Sequence, residues 1–383
     1  MEYIRFKDII RSTQYGYTAD ETSKTEGTYK YLRITDIVPY FVNFETVPFC
    51  SISSNKVEQY LVHEGDILIA RTGATTGYNY VVPKGVKNTV YASYLIRFNV
   101  DETKVLPLYM KYVLKSSYYY GFVNNHIGGS AQPGMNARVF GRFNIPNNTL
   151  PIQRRIASIL SVYDNLIENN NRRIRLLEQM AENLYKEWFV RFRFPGHEKV
   201  EMENGLPKGW TIKRIKEIVK RLPFNRTYKE EELVKAGKVV VIDQSTNDVL
   251  GYHNNDPSHY ADYNNPLIIF GDHSCKFQFM TQNFSLGENV IPFTTNDNTI
   301  ANEYWLFYAT HKLIKTEEYK RHWGRFSTMK VLIPEIRVQN KFAGIIMTLE
   351  REKNKLKAQN QLLTRQRDLL LPRLMSGKLE VNA

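Results

Sequence analysis

The run Pro151-Ile152-Gln153-Arg154-Arg155-Ile156-Ala157-Ser158-Ile159-Leu160 has a counterpart far down the chain, Ile336-Arg337-Val338-Gln339-Asn340-Lys341-Phe342-Ala343-Gly344-Ile345-Ile346. Both follow a basic segment that runs into Ile-Pro: Arg142-Phe143-Asn144-Ile145-Pro146 and Lys330-Val331-Leu332-Ile333-Pro334. Both open a long stretch with apolar residues at steps of three and four, the period of a helix that buries one stripe. In the first stretch, to about Trp188, the stripe is Ile152, Ile156, Ile159, Tyr163 and Leu166, then Ile174, Leu177, Ala181, Leu184 and Trp188. Asn169-Asn170-Asn171 shifts that stripe, and no Pro or Gly breaks it. In the second, from about Val338 to Leu371, Phe342, Leu349, Leu356, Leu363 and Leu370 recur at every seventh residue. The intervening d-like positions are then Ile345, Glu352, Gln359 and Gln366, a polar seam that favours register over stability. Pro372 is expected to end or kink this helix. At 1.5 Å per residue, each helix is roughly 50–60 Å long, more than the ~34 Å of one DNA turn. Long heptad helices also serve simply to dimerise proteins, so the helices alone leave the function open.

Working outward, the same order of events occurs twice. A short amphipathic segment opens each half, at 3–10 and at 210–219. A β-like run ending in an acidic residue follows, Tyr31-Leu32-Arg33-Ile34-Thr35-Asp36 and Val239-Val240-Val241-Ile242-Asp243. Then come buried-strand signals, Asp66-Ile67-Leu68-Ile69-Ala70 and Pro266-Leu267-Ile268-Ile269-Phe270, and helical stretches near 106–114 and 302–311. The spacings differ, so this is a diverged duplication. Pro, Gly and charge concentrate between Phe194 and Gly209, as in a linker, and Trp210 is expected to anchor the domain that follows.

The chain has 383 residues, enough for two or more domains, and 42% of them are hydrophobic, enough to build real cores. The formal net charge of +13 favours a polyanionic partner, most often nucleic acid. The two cysteines, Cys50 and Cys275, stand far apart, against a disulfide framework or a Cys-rich zinc site and consistent with a reducing cytoplasm. The charged start Met1-Glu2-Tyr3-Ile4-Arg5-Phe6-Lys7-Asp8 does not read as a signal peptide. No apolar run approaches the roughly 20 residues that cross a bilayer.

Several segments together resemble one family. They are Leu150-Pro151-Ile152-Gln153-Arg154-Arg155-Ile156, Asp164-Asn165, Leu176-Leu177-Glu178 and Leu184-Tyr185-Lys186-Glu187-Trp188-Phe189. Phe194-Pro195-Gly196-His197 and Gly205-Leu206-Pro207-Lys208-Gly209-Trp210 continue the series. This set looks like the central region of type I restriction-modification specificity subunits. The run Gly65-Asp66-Ile67-Leu68-Ile69-Ala70-Arg71-Thr72-Gly73-Ala74-Thr75-Thr76-Gly77 resembles the strand and turn of their recognition domains. Leu369-Leu370-Leu371-Pro372-Arg373-Leu374-Met375-Ser376-Gly377-Lys378-Leu379 resembles their ending.

The resemblance implies an α/β (α+β) fold. Two target recognition domains are joined by two long antiparallel coiled-coil helices, with the halves related by a pseudo-two-fold duplication. The expected division is a first recognition domain over 1–148, a first long helix over 149–193 and a linker over 194–209. A second recognition domain over 210–334, a second long helix over 335–378 and a tail over 379–383 complete it. It further implies a non-catalytic reader of double-stranded DNA, each domain taking half of a bipartite target while the helices set the spacer. Two methyltransferase subunits would dock on the helices, and restriction (nuclease/translocase) subunits would join them. No cofactor is expected on this chain; S-adenosylmethionine, ATP and Mg belong to the partner subunits. The turn after Ile269, Phe270-Gly271-Asp272-His273-Ser274, lacks the Arg-Thr-Gly of the first half, so the target should be asymmetric.

Lys and Arg neutralise phosphates and set affinity, whereas contacts to base edges set specificity. Arg suits guanine, and Asn or Gln suits adenine. On those grounds the DNA-binding candidates in the first domain are Arg71, Thr72, Thr75, Thr76, Asn124, Asn125, His126 and Gln132, all read as turn residues. In the second they are Gln244, Ser245, Asp272, His273, Lys276, Arg321, His322 and Arg325. A solvated loop is the plain alternative for each. Ile156, Ile159, Leu177, Leu184, Phe342, Leu349, Leu356 and Leu363 are expected to pack the helix pair. Leu160, Ile167, Trp188, Phe189 and Leu362 lie off that stripe and are candidates for subunit docking or extensions of the same core.

Catalytic readings fail on residue type. Gly129-Ser130-Ala131-Gln132-Pro133-Gly134 has P-loop glycine spacing, but Met135-Asn136 replaces the Lys and Ser/Thr that phosphate and Mg binding require. His253 and His259 have no nearby Cys to make a zinc site, and no metal is assigned. Asp243, His273 and Ser274 lack a nucleophile elbow. No Asn/Asp-Pro-Pro-aromatic motif or glycine-rich cofactor loop is present, which argues against methyl transfer. The competing readings are a stand-alone nuclease or methyltransferase, a coiled-coil scaffold that does not bind DNA, and the specificity subunit of a related non-type-I system.

Overall fold

The computed structural model describes residues 2–22, 27–127, 134–245, 247–316 and 321–379. The chain divides into two compact units, one of residues 1–170 with 358–383 and one of residues 171–357.

In the first unit, Ile67–Ala70 is fully buried, the environment that a continuous apolar run requires. It is flanked in a four-stranded antiparallel sheet ordered Ile10–Tyr15, Leu95–Val100, Ile67–Ala70, Asn79–Val81. A three-stranded sheet places Tyr29–Leu32 between antiparallel Phe49–Cys50 and parallel Thr89–Tyr91. Tyr3–Arg5 pairs with Asn144–Pro146. Pro107 opens the helix Pro107–Val113, where its missing N–H costs nothing.

The second unit repeats every one of these pairings. Its four-stranded sheet is ordered Val219–Arg221, Val290–Thr295, Leu267–Gly271, Phe277–Met280. Val239–Ile242 lies between antiparallel Gly251–His253 and parallel Phe284–Leu286. Thr211–Arg214 pairs with Lys330–Ile333. The duplication is therefore one of topology as well as of sequence order. The linker's Phe194 stacks on Trp210 at 5.3 Å, and Trp210 is buried in the core of the second unit.

Helix α1 spans Leu150–Tyr185 and widens into a π-helical turn at Lys186–Val190; helix α2 spans Ile336–Met375. Pro372 neither ends α2 nor shortens it. Leu371, Leu374 and Met375, buried in the first unit's core, hold the last turn in place. Within each unit the two helices run antiparallel: Asp164 meets Arg367 and Asn170 meets Asn360 in the first, and Arg173 meets Glu352 in the second.

The seam of α2 differs from the heptad reading. Phe342 and Leu356 are buried, and Leu349 and Leu363 are half-buried, but Ile345 is 43% exposed. The alternating positions are Ile346, Lys353, Asn360, Arg367 and Leu374, each one residue later than expected. A seven-residue apolar repeat fixes only one of the two seam positions, because residues three and four away both lie beside it. The polar members are satisfied. Asp164 accepts from Arg367 Nη1 at 2.9 Å, Lys111 Nζ at 2.6 Å, Tyr112 Oη at 2.9 Å and Tyr40 Oη at 3.1 Å. Asn170 Nδ2 donates to Asn360 Oδ1 at 2.9 Å.

One residue welds each long helix to its α/β domain. Gln153 Oε1 accepts from Leu106 N at 2.8 Å, and its Nε2 donates to Lys104 O at 2.9 Å and Asn148 O at 2.8 Å. Gln339 Oε1 accepts from Asn302 N at 2.9 Å, and its Nε2 donates to Ile300 O at 2.9 Å and Pro334 O at 2.8 Å. Both are almost fully buried. Replacing either by Leu strands a buried N–H and two carbonyls, so Gln153→Leu and Gln339→Leu should each cost about 1–3 kcal/mol. Urea unfolding checks this; a change below about 0.5 kcal/mol, the size of an ordinary surface substitution, contradicts it.

Candidate nucleic-acid interface

The edge of the first α/β domain where Ile67–Ala70 ends is built by backbone bonding. Arg71 N donates to Tyr94 O at 3.0 Å, and Arg71 O accepts from Met135 N at 2.8 Å. Thr72 bridges Gly134. Gly77, at φ 89°, lets the turn close beneath the helix Ser117–Ile127; a Cβ there would sit 2.7 Å from Val123. Thr76 is buried and closes the turn through Gly73 O at 2.7 Å, while Thr75 Oγ1 lies 3.5 Å from Thr72 O. Asn124, Asn125 and His126 are exposed, but they occupy the last turns of the helix Ser117–Ile127 and not a loop. The structure thus brings Arg71, Thr72 and Thr75 into one turn whose Gly77 packs under that helix. Gln132 and most of the glycine-rich run lie outside the described residues.

The second domain uses the same backbone pattern with different side chains. Asp272 N donates to Asn289 O at 2.9 Å, and Asp272 O accepts from His322 N at 2.8 Å, so Asp272 stands where Arg71 stands in the first domain. Its carboxylate faces inward. Asp272 Oδ1 accepts from His322 N at 3.1 Å and Trp323 N at 2.9 Å, satisfying the N-terminal donors of the helix Trp323–Thr328. His322 is fully buried. Gln244 Oε1 accepts from His273 N at 3.0 Å. Lys276 Nζ donates to Ser245 O at 2.8 Å and to Asn247 O, and burial pulls its pKa below the ordinary value. The structure thus places Asp272, His322 and Thr76 in buried bonds within their domains and half-buries Lys276. Arg321 and Arg325 are exposed.

Sequence reasoning missed the aromatic platforms. Arg71 lies over the Tyr15 ring at 5.2 Å, with Tyr15 39% and Tyr94 56% exposed. In the second domain Arg221 lies over Phe224 at 5.6 Å and Trp323 at 5.3 Å, and Phe224 is 44% exposed. A guanidinium over a ring face gains a cation–π contact and still has further N–H donors to offer a base or phosphate. Pro223-Phe224-Asn225-Arg226, an aromatic amid turn formers and cations, carried the only sequence signal for this.

The histidines considered for metal serve the fold. His253 Nε2 pairs with Ser285 Oγ at 2.8 Å and His259 Nε2 with Pro223 O at 2.9 Å; burial lowers both pKa values. Asp243 Oδ1 accepts from Ser245 N and Oγ at 3.1 and 2.7 Å, which closes its own turn and assembles no triad. Among the described residues no helix is long and apolar enough to cross a membrane.

On the helices, four of the five residues read as docking or core candidates lie at core positions. Leu160 and Ile167 are buried in the first unit, and Trp188 and Phe189 in the second, because they face their own α/β domain or the partner helix. Leu362 is 62% exposed. The apolar residues that do face outward are Val162, Leu166, Leu362 and Leu369 in the first unit, and Leu176, Met180 and Ile345 in the second.

Comparison with known proteins agrees with this construction. Residues 1–179 match the type I restriction modification DNA specificity domain. The type I restriction enzyme MjaIX specificity subunit of Methanocaldococcus jannaschii is 25% identical over 344 residues, 83% of this chain and 76% of that one. The MjaVIII specificity subunit of the same organism is 27% identical over 222 residues, 57% of this chain and 49% of that one. The crystal structure of a type I restriction-modification S subunit from M. genitalium shares the fold, with a TM-score of 0.57 and 17% identity over 97% of this chain and 95% of that one. Duplicated α/β domains, each joined to long helices, are the fold this chain shares with that structure. Its first 179 residues carry the type I restriction modification DNA specificity domain, and most of the chain is similar to type I restriction enzyme specificity subunits.

Asp272→Ala should cost about 0.5–2 kcal/mol, the range for a lost helix cap, and weaken DNA binding equally for all sequences. Asp272→Asn, which keeps the acceptor, should be near neutral. Thermal unfolding with binding to matched and mismatched duplexes checks both; a change at one base position alone would return Asp272 to the base-reading set.

Proposed function

We propose that each α/β domain reads one half of a bipartite, asymmetric DNA target, and that the long helices fix the unread spacer and dock two methyltransferase subunits. The observation that carries this is the repeated backbone edge with different chemistry on it: Arg71 over Tyr15 in one domain, Asp272 turned inward and Arg221 over Phe224 in the other. Equal frames with unequal side chains suit two different half-sites. The net charge of +13 supplies the sequence-independent attraction to phosphates. The outward apolar residues, Leu362 and Leu369 in one unit and Leu176 and Met180 in the other, suit a docked protein in each. The methyltransferases would bring S-adenosylmethionine and methylate adenine; restriction subunits would bring ATP and Mg. This chain contributes specificity and no catalytic step, and works in the cytoplasm.

Adenine-methylation mapping of genomic DNA, from cells with and without this gene beside its methyltransferase, tests the reading. The expected result is a bipartite motif with a fixed spacer that vanishes on deletion. Unchanged methylation on deletion of an expressed gene contradicts it. Within the motif, Arg71→Ala should reduce discrimination at one base of one half-site by about 1–3 kcal/mol, measured by competition binding with single-base variants. Loss spread evenly over all positions would make Arg71 a phosphate contact.

A further inference from the structure

The first unit holds a cavity of about 620 Å³ between its α/β domain and the C-terminal end of α2. That volume is in the range of small-molecule sites. Its walls are aromatic, from Tyr40, Tyr78, Tyr118 and Tyr120, and Leu371 and Met375 close the α2 side. One cation lines it without a carboxylate of its own. Lys115 Nζ donates to Asn79 O at 2.8 Å and lies 5.4 Å over the Tyr40 ring, and among the described residues no carboxylate is paired with it. The other charges at the cavity are matched: Arg367 bonds Asp164 at 2.9 Å and Asp368 at 2.8 Å. Burial, aided by Lys111 and Arg367, pulls Lys115 down to about 8, the mark of a poorly compensated ammonium.

The duplication supplies a control inside the same chain. Counting outward from Gln153 and Gln339, Leu374 and Met375 correspond to Trp188 and Phe189; counting from Leu106 and Asn302, whose N–H groups those glutamines accept, Lys115 corresponds to His311. In the second unit Trp188 and Phe189 are buried, and His311 lies 2.7 Å from Glu182. There large rings occupy the place and the corresponding histidine has an acid beside it. The first unit carries smaller residues and a lysine lacking an acid.

We propose that this cavity binds a small aromatic anion, its ring between the tyrosine walls and its acidic group on Lys115 Nζ. A ring supplies the stacking partner for the walls, and an anion supplies the charge that Lys115 lacks. This site is separate from the arginine–aromatic edges assigned to DNA.

The probe is 1-anilinonaphthalene-8-sulfonate, an aromatic sulfonate, titrated by fluorescence and calorimetry into the full-length chain. One saturable site per chain is expected. Lys115→Met should weaken it about tenfold or more, about 1.4 kcal/mol, and Lys115→Arg should largely keep it. The variant Met375→Phe, which imports the ring of Phe189 from the second unit, should abolish the site while keeping the melting temperature; it stays informative if Lys115→Met misfolds. Binding unchanged in the filled variant, or insensitive to Lys115→Met in folded protein, overturns the proposal. Many weak sites, the pattern of nonspecific adsorption on a basic surface, overturn it equally.

Discussion

Everything in this chain hangs on two buried amides. Gln153 and Gln339 each take one backbone N–H and give two N–H bonds to backbone carbonyls of the adjoining domain. A buried polar group with all its partners made is rigid, and one left unmade is expensive. The same three bonds, made twice, turn a flexible junction into a fixed joint, so the domain at each joint moves with its helix. The helices themselves are weakly apolar along their seam. Asp164–Arg367 and Asn170–Asn360 specify register there, the role for which buried polar pairs are best attested.

On that fixed frame the two halves have diverged where it matters for reading. The backbone at the end of the central strand is the same in both: an N–H given to the neighbouring turn and a carbonyl taken by the segment leading into the last short helix. Arg71 uses the position to project over Tyr15; Asp272 uses it to tie down Trp323. Specificity can change by substitution at such an edge without disturbing the sheets, because the bonds that hold the edge are backbone bonds.

Much of this was legible in the sequence. The long helices, the buried strands Ile67–Ala70 and Leu267–Gly271, and Trp210 as an anchor follow from periodicity and turn chemistry. What was not legible depended on tertiary direction. A seven-residue repeat does not say whether Ile345 or Ile346 faces inward. A helical wheel does not say that Leu160 and Trp188 meet an α/β domain and not solvent. Pro372 is tolerated because Leu371 and Leu374 are held in a core that is distant in sequence. Asp272 looked like a loop acid because the donors it satisfies, on His322 and Trp323, lie about fifty residues on. Arg71 over Tyr15 and Arg221 over Trp323 join residues far apart in sequence, which no local pattern reveals.

The central claim is that the two α/β domains are independent readers on a common helical frame. The most direct test replaces the second domain, between Trp210 and Pro334, with that of a type I restriction enzyme specificity subunit, leaving Gln153, Gln339 and both helices intact, and maps the methylated motif. The account predicts that one half-site changes while the other half-site and the spacer length are unchanged. A motif that changes in both halves, or a spacer that moves with the domain, would contradict it.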